Sequence, residues 1–230
     1  MTVLVNQRSR NMRALLTILT VIAMAALPTQ TAAGGPPCVT RDVGLGGVGR
    51  ARVIIFTGAG SEEPVCALVA TFAAEGVRAR IAEGTDREGA LVVAALTPGR
   101  GATVIVRDGV LAVSPSGTAP ADDPAAVAVG PFVVPPGGGF PSASGDPSAV
   151  ARVVLAYAGA RIVIFQTTPV TVIDLALALR DQPDLFGIDA PERAVILASG
   201  SSAALELHTD LGTLGTPVAT PRALVLVRRP

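Results

Sequence analysis

Residues 194–207 read Ala-Val-Ile-Leu-Ala-Ser-Gly-Ser-Ser-Ala-Ala-Leu-Glu-Leu, two apolar runs separated by four small residues, Ser199 to Ser202. Short apolar runs bounded by turn residues fit buried strands, so this stretch predicts strand, tight polar turn, strand. A turn of this composition admits two readings. It can be a plain Gly/Ser connection. Alternatively, backbone N–H groups around Gly200 and the hydroxyls of Ser199, Ser201 and Ser202 can converge on one anion.

Composition narrows what chemistry such a turn can serve. All 18 basic residues are Arg, so Schiff-base chemistry, a Lys general base and a P-loop lysine are excluded together. Arg is the fork suited to carboxylates and phosphates. Aromatic residues make up 3% and Trp is absent, which leaves few stacking platforms for sugars or bases. Hydrophobic residues make up 50%, which predicts an aliphatic core and not a disordered chain. Arg8, Arg10 and Arg13 lie at the N-terminus; beyond them 15 Arg face 18 Asp and Glu, a balance of −3. A weakly acidic chain without a basic stripe is not expected to bind nucleic acid. One His, His208, and two Cys cannot build a zinc finger, a multi-His metal site or an iron–sulfur site, so no metal ligands are singled out and no cofactor is expected, while an all-oxygen Ca²⁺ or Mg²⁺ site stays open.

The same three Arg precede an apolar run from Ala14 to Leu27 and a small polar segment ending Thr-Ala-Ala at position 33. This is the layout of a secretory signal peptide over residues 1–33, with the mature chain starting near Gly34. The run of about fourteen apolar residues is short for a membrane span, which needs about twenty, so no stable membrane insertion is expected after cleavage. Export to the periplasm or the extracellular medium places Cys38 and Cys66 in an oxidising compartment, where pairing with each other is the simplest outcome. Closing a loop of about thirty residues would contribute roughly 3–4 kcal/mol by the chain-entropy argument. A nucleophilic Cys66 is disfavoured, because it sits in an apolar pattern without a basic neighbour.

Gly44-Leu-Gly46-Gly-Val-Gly49 matches the spacing of a dinucleotide-binding loop. That loop needs a strand before it and a helix after it, whereas a strand near Val53 to Phe56 follows and no strand-like run precedes. Glu62 to Glu75, with Ser61 as N-cap and Gly76 closing it, predicts a helix. Val77 to Ile81 alternates with Arg78 and Arg80, as a half-exposed strand does, and its basic face could line a phosphate site or be simply solvated. Ala90 to Leu96 predicts a buried strand, and Asp108-Gly109 between apolar runs predicts a hairpin. Gly- and Pro-rich loops with one strand, Val127 to Val134, follow. Val150 to Tyr157 and Arg161 to Gln166 predict a hairpin carrying Arg152 within an apolar strand. Thr171 to Asp181 predicts a helix with Asp174 on its polar face.

Several of these segments resemble the phosphodiester glycosidase domain family. The segments are Val129-Gly-Pro-Phe-Val-Val134, the Arg152-bearing hairpin, Pro169-Val-Thr followed by the helix, and Leu197-Ala-Ser-Gly-Ser-Ser202. Upstream, Gly89 to Leu96 and Ile105-Val-Arg-Asp-Gly109 look like the family's strand and Gly hairpin. The resemblance implies a single α+β domain over residues 34–230: a mixed, largely antiparallel sheet with a few packed helices. It also implies an exported protein acting on, or binding, a sugar-1-phosphodiester, with Arg152 and Ser199, Gly200, Ser201 and Ser202 as phosphate cradle. The chain departs from the family pattern at two places. Ala95-Leu-Thr-Pro-Gly99 stands where the family has Asn-Gly-Gly-Phe-Phe, and Ala198 stands where it has the Asp of Leu-Asp-Gly-Gly.

Hydrolysis of such a diester needs the phosphate cradle, stabilisation of an oxocarbenium-like centre, and a base or nucleophile. On the strand after the turn, Leu205 and Leu207 point one way and Glu206 and His208 the other. Glu206 is therefore the candidate substitute carboxylate, with Arg152 as its catalytic partner. Ser201 or Ser202 with His208 is a further hydrolase reading, although no G-x-S-x-G elbow is present. Two functions from different classes remain: a phosphodiester glycosidase-like hydrolase or binder, and a catalytically inactive binding or structural module on the same fold. An unrelated secreted domain would follow if Arg152 lay far from the 199–202 turn.

Overall fold

Apolar β-branched runs set the architecture, and they assemble almost entirely by antiparallel pairing. The computed structural model describes residues 39–44, 50–55, 67–83, 92–116, 119–120, 122–141, 147–209, 212–218 and 222–228. Strands β1 (Val39–Gly44) and β2 (Arg50–Ile55) form a hairpin. Sheet I runs in the order β3 (Ala67–Ala73), β11 (Arg161–Thr167), β10 (Arg152–Ala158), β12 (Arg193–Ser199), β9 (Phe132–Val134). Sheet II runs β14 (Gly212–Gly215), β13 (Leu205–Thr209), β5 (Val92–Ala95), β15 (Arg222–Arg228), β4 (Val77–Glu83). Sheet III runs β7 (Val110–Pro115), β6 (Ala102–Arg107), β8 (Ala126–Val129).

One core lies between the sheets and a second lies outside sheet I. Val153, Leu155, Ile162, Ile164 and Leu197 of sheet I meet Leu205, Leu207, Leu224 and Leu226 of sheet II and Val104 of sheet III in the central core. On the other face of sheet I, Val154, Ala156, Val163 and Phe165 pack against Val172, Leu175, Ala176 and Leu179 of helix α1 (Val172–Asp181). Each fully buried Leu, Ile or Phe contributes about 1.5–3 kcal/mol. Thr171 caps α1 by accepting from the Asp174 N–H at 3.1 Å and donating to its carboxylate at 2.7 Å, which accounts for a solvated Asp174.

The fold is mainly β, which overturns the α+β expectation of several packed helices: α1 is the one α-helix among the described residues. The predicted helix over 62–75 is the clearest departure. Residues 67–73 form β3, paired to β11 along its whole length, and residues 74–76 form a 3-10 turn. Ala67 and Val69 face the α1 side while Ala70 and Phe72 face the central core. A strand apolar on both faces loses its period of two and imitates a helix.

Val127 to Val134 is likewise not one strand. Gly130, at φ +125, and Pro131 break it into β8 in sheet III and β9 in sheet I. A strand, β1, does precede the Gly44–Gly49 segment, contrary to expectation, but the β2 strand that follows still fits a hairpin and not a dinucleotide loop. The Asp108-Gly109 hairpin forms with φ of +52 and +77, the conformation a type I′ turn requires. Cys38, Cys66, Ser61 and the segment 1–33 lie outside the described residues. Among the described residues no helix is long and apolar enough to cross a membrane.

Candidate functional site

The end of β12 is shaped by a β-bulge. Arg152 pairs with Ser199 and Val153 with Ala198, but Val154 pairs with Ile196, so Leu197 is an extra residue. A bulge places consecutive side chains on one face. Leu197 and Ala198 accordingly both enter the central core, and Ser199 turns back to lie opposite Arg152 on the α1 side.

Arg152 is 1% exposed, and its guanidinium is satisfied by oxygen acceptors from three segments. Its Nε donates to the Val170 carbonyl at 3.1 Å, Nη1 to Ser199 Oγ at 3.2 Å, and Nη2 to the Ser148 carbonyl at 2.9 Å. Its backbone N–H donates to Thr167 Oγ1 at 3.0 Å. A buried guanidinium must be compensated in this way, and charged donors make the stronger bonds. Arg152 therefore holds the turn in place from behind.

The turn itself is a short 3-10 segment, Gly200–Ser202. Gly200 adopts φ +62, which a side chain would disfavour. Its N–H donates to the Ala151 carbonyl at 2.8 Å and its carbonyl accepts from Ala203 N–H at 3.1 Å. That N–H is thus committed to the fold. Ser199 is half-buried, while Ser201 and Ser202 are exposed.

The segments singled out by motif meet here. Thr97 N–H donates to the Leu197 carbonyl at 2.9 Å, and Gly130 N–H to the Ile196 carbonyl at 2.9 Å. Gly99 lies so close to the Gly130 backbone that a Cβ would come within 2.9 Å of it. Thr97, Gly99, Gly130, Arg152 and residues 197–202, scattered through the sequence, are brought to the end of one strand.

Glu206 is placed elsewhere. Leu205 and Leu207 enter the central core, as alternation predicts, and Glu206 pairs in register with Val93 on the far face of sheet II. It is 2% exposed, not solvated. One carboxylate oxygen accepts from Val218 N–H at 3.3 Å, and the other stands 3.5 Å from His208 Nε2. His208 Nδ1 lies 3.4 Å from Thr213 Oγ1. The structure therefore brings Arg152 together with Ser199 and Gly200, and sets Glu206 and His208 on a different face. Arg78 lies over the Gly109 turn, where a Cβ would meet its Cγ at 2.7 Å.

Gln166, in the Arg152-bearing hairpin but not singled out as a site residue, also reaches the turn. Its Nε2 donates to the Ala203 carbonyl at 2.9 Å and to Thr216 Oγ1 at 3.3 Å. Its one sequence signal is a polar residue closing an otherwise apolar strand. Elsewhere, burial pushes the Tyr157 phenol above its ordinary value, with Arg193 opposing. Tyr157 Oη donates to the Leu111 carbonyl at 3.4 Å and Arg193 Nη1 to the Val113 carbonyl at 2.6 Å, tying sheet I to β7. Among the described residues no group of three or more His, Cys, Asp or Glu could hold a metal ion.

No family model and no curated protein matches the chain. Among solved structures, the zebrafish N-acetylglucosamine-1-phosphodiester alpha-N-acetylglucosaminidase catalytic domain, auto-inhibited by its pro-peptide, aligns at TM-score 0.47 and 11% identity. The alignment covers 87% of this chain and 86% of that one, a distant structural similarity.

Proposed function

We propose that this chain is an exported, phosphodiester glycosidase-like protein that binds a sugar-1-phosphodiester or a related anion at the 199–202 turn without hydrolysing it. The observation that carries this reading is the Arg152–Ser199 contact, made across 47 residues of sequence. Because Ser199 Oγ accepts from Nη1, its own proton is left to donate outward. Ser201 and Ser202 add two exposed hydroxyls, and the Arg152 charge stands behind them in a medium that screens it weakly. Export is supported by the Arg-led apolar run and the small residues ending at Ala33.

Hydrolysis needs a carboxylate at the same place. Position 198 holds Ala and points into the core, and Glu206 faces away across sheet II. The geometry therefore favours the binding module over the hydrolase.

The test is to incubate the mature chain with a panel of sugar-1-phosphodiesters, following binding by calorimetry and cleavage by phosphorus NMR. Saturable binding without cleavage is expected, weakened about tenfold by Ser199→Ala, the equivalent of roughly 1.4 kcal/mol. Cleavage would overturn the inactive reading, and absence of binding would overturn the anion site.

A further inference from the structure

We infer that Gln166 is a positioning residue for the 199–202 turn, the counterpart of Arg152 on the opposite face of sheet I. The inference rests on the anion-binding reading of that turn. Gln166 sits on β11, next to β10, and pairs in register with Val153 and Leu68. Along β11 the side chains alternate: Val163, Phe165 and Thr167 face the α1 side, while Ile162, Ile164 and Gln166 face the central core. Arg152 therefore grips the start of the turn, at Ser199, from one face. Gln166 grips its end, at the Ala203 carbonyl, from the other.

The second Gln166 contact extends the grip into sheet II. Its amide meets Thr216 Oγ1, and Thr216 N–H donates to the Leu205 carbonyl at 2.9 Å. Thr216 is brought there by Gly215, at φ +95, where a Cβ would overlap the Leu205 carbonyl oxygen and crowd Leu68. Two residues on, Val218 N–H is held by Glu206. The 216–218 segment is thus pinned at one end by Gln166 and at the other by Glu206. The exposed Ser201 and Ser202 lie between two fixed points, and a preorganised turn binds its anion without first losing conformational freedom.

A carbonyl needs a donor, and this separates positioning from mere bulk. Gln166→Glu keeps size and shape but, when ionised, offers only acceptors to the Ala203 carbonyl; once protonated it can donate again. The experiment measures binding of methyl glucose-1-phosphate, a diester whose single negative charge is constant with pH, at about pH 7 and about pH 4. Amide exchange of Ala203, whose N–H closes the turn on Gly200, is followed in parallel.

Gln166→Ala is expected to weaken binding and to speed Ala203 exchange, each about tenfold. Gln166→Glu should match it near neutrality and recover toward the wild-type value in acid. Thr216→Val, which keeps the Ala203 bond, should lose less. Wild-type exchange and affinity in both Gln166 variants would overturn the inference. If the wild-type chain fails to bind the diester, the anion-binding reading falls, and the exchange rates still decide whether Gln166 positions the turn. Should Gln166→Ala not fold, the acid recovery of Gln166→Glu carries the same decision.

Discussion

Arg152 and Glu206 are the two charged side chains that the described residues bury almost completely, yet they serve different parts of the molecule. Arg152 lies on the α1 face of sheet I and Glu206 on the outer face of sheet II, with the central core between them. Arg152 spends its donors on Ser199 and on two carbonyls from segments flanking β10 and α1. Glu206 holds the Val218 N–H and stands beside His208. Equal burial therefore does not mean a shared site: what distinguishes the two is whether the neighbouring backbone ends in a turn that opens to solvent.

The largest expected effect comes from adding a third buried charge between them. Ala198→Asp adds a carboxylate at the end of β12, but the bulge points it into the apolar core, where an unpaired carboxylate costs about 3–5 kcal/mol. Urea denaturation should show that loss without any gain of hydrolysis. A variant as stable as the wild type would mean that position 198 reaches the turn after all.

Removing the two native charges gives a smaller and unequal pair of effects. Arg152→Met leaves Ser199 Oγ and the Val170 and Ser148 carbonyls short of a donor, for a loss of about 3 kcal/mol together with the anion site. Glu206→Gln keeps an oxygen for Val218 N–H and should cost about 1 kcal/mol or less, with affinity for the diester retained. If both variants lost the ligand equally, the separation drawn between them would be wrong.

The smallest effect belongs to a pair near the surface, an exposed Arg107 and a half-buried Asp123. The Arg107 side chain donates to Asp123 at 2.5 Å, and this bond, with that from Ala125 N–H, holds the Asp123 carboxyl below its ordinary value of 3.8. A depressed carboxylate stabilises the fold above its unfolded value, and that contribution fades as pH falls through the folded one. Solvent screens it heavily. Carboxyl NMR titration of Asp123 should move up toward the ordinary value in Arg107→Ala, and the acid-side slope of stability should flatten.

Features governed by local chemistry are legible in the amino-acid order alone. Asp108-Gly109 specifies its hairpin because both central positions need positive φ. The α1 helix is legible because Thr171 caps a run whose Leu175, Ala176 and Leu179 share a face. The Arg152 hairpin and the strand–turn–strand at 194–207 are readable for the same reason, and so is the alternation that turns Glu206 away from Leu205 and Leu207. β3 imitates a helix because sheet I buries both its faces, which removes the only periodic signal a strand has. The division of 127–134 between two sheets is hidden because strand partners are chosen at long range.

Local order thus settles which residues form the strands around the Ser/Gly turn, because propensity, periodicity and turn chemistry act over a few residues; that Arg152 and Glu206 are both buried is decided by packing. Long-range packing decides that Leu197 is an extra residue in β12, that Ala198 points inward while Ser199 meets Arg152, that Gln166 meets the Ala203 carbonyl at the end of the turn, and that Glu206 lies on the far face of the second sheet. Each of these depends on register and sheet partnership between segments tens of residues apart, and a one-residue shift in register reverses the face that a side chain occupies.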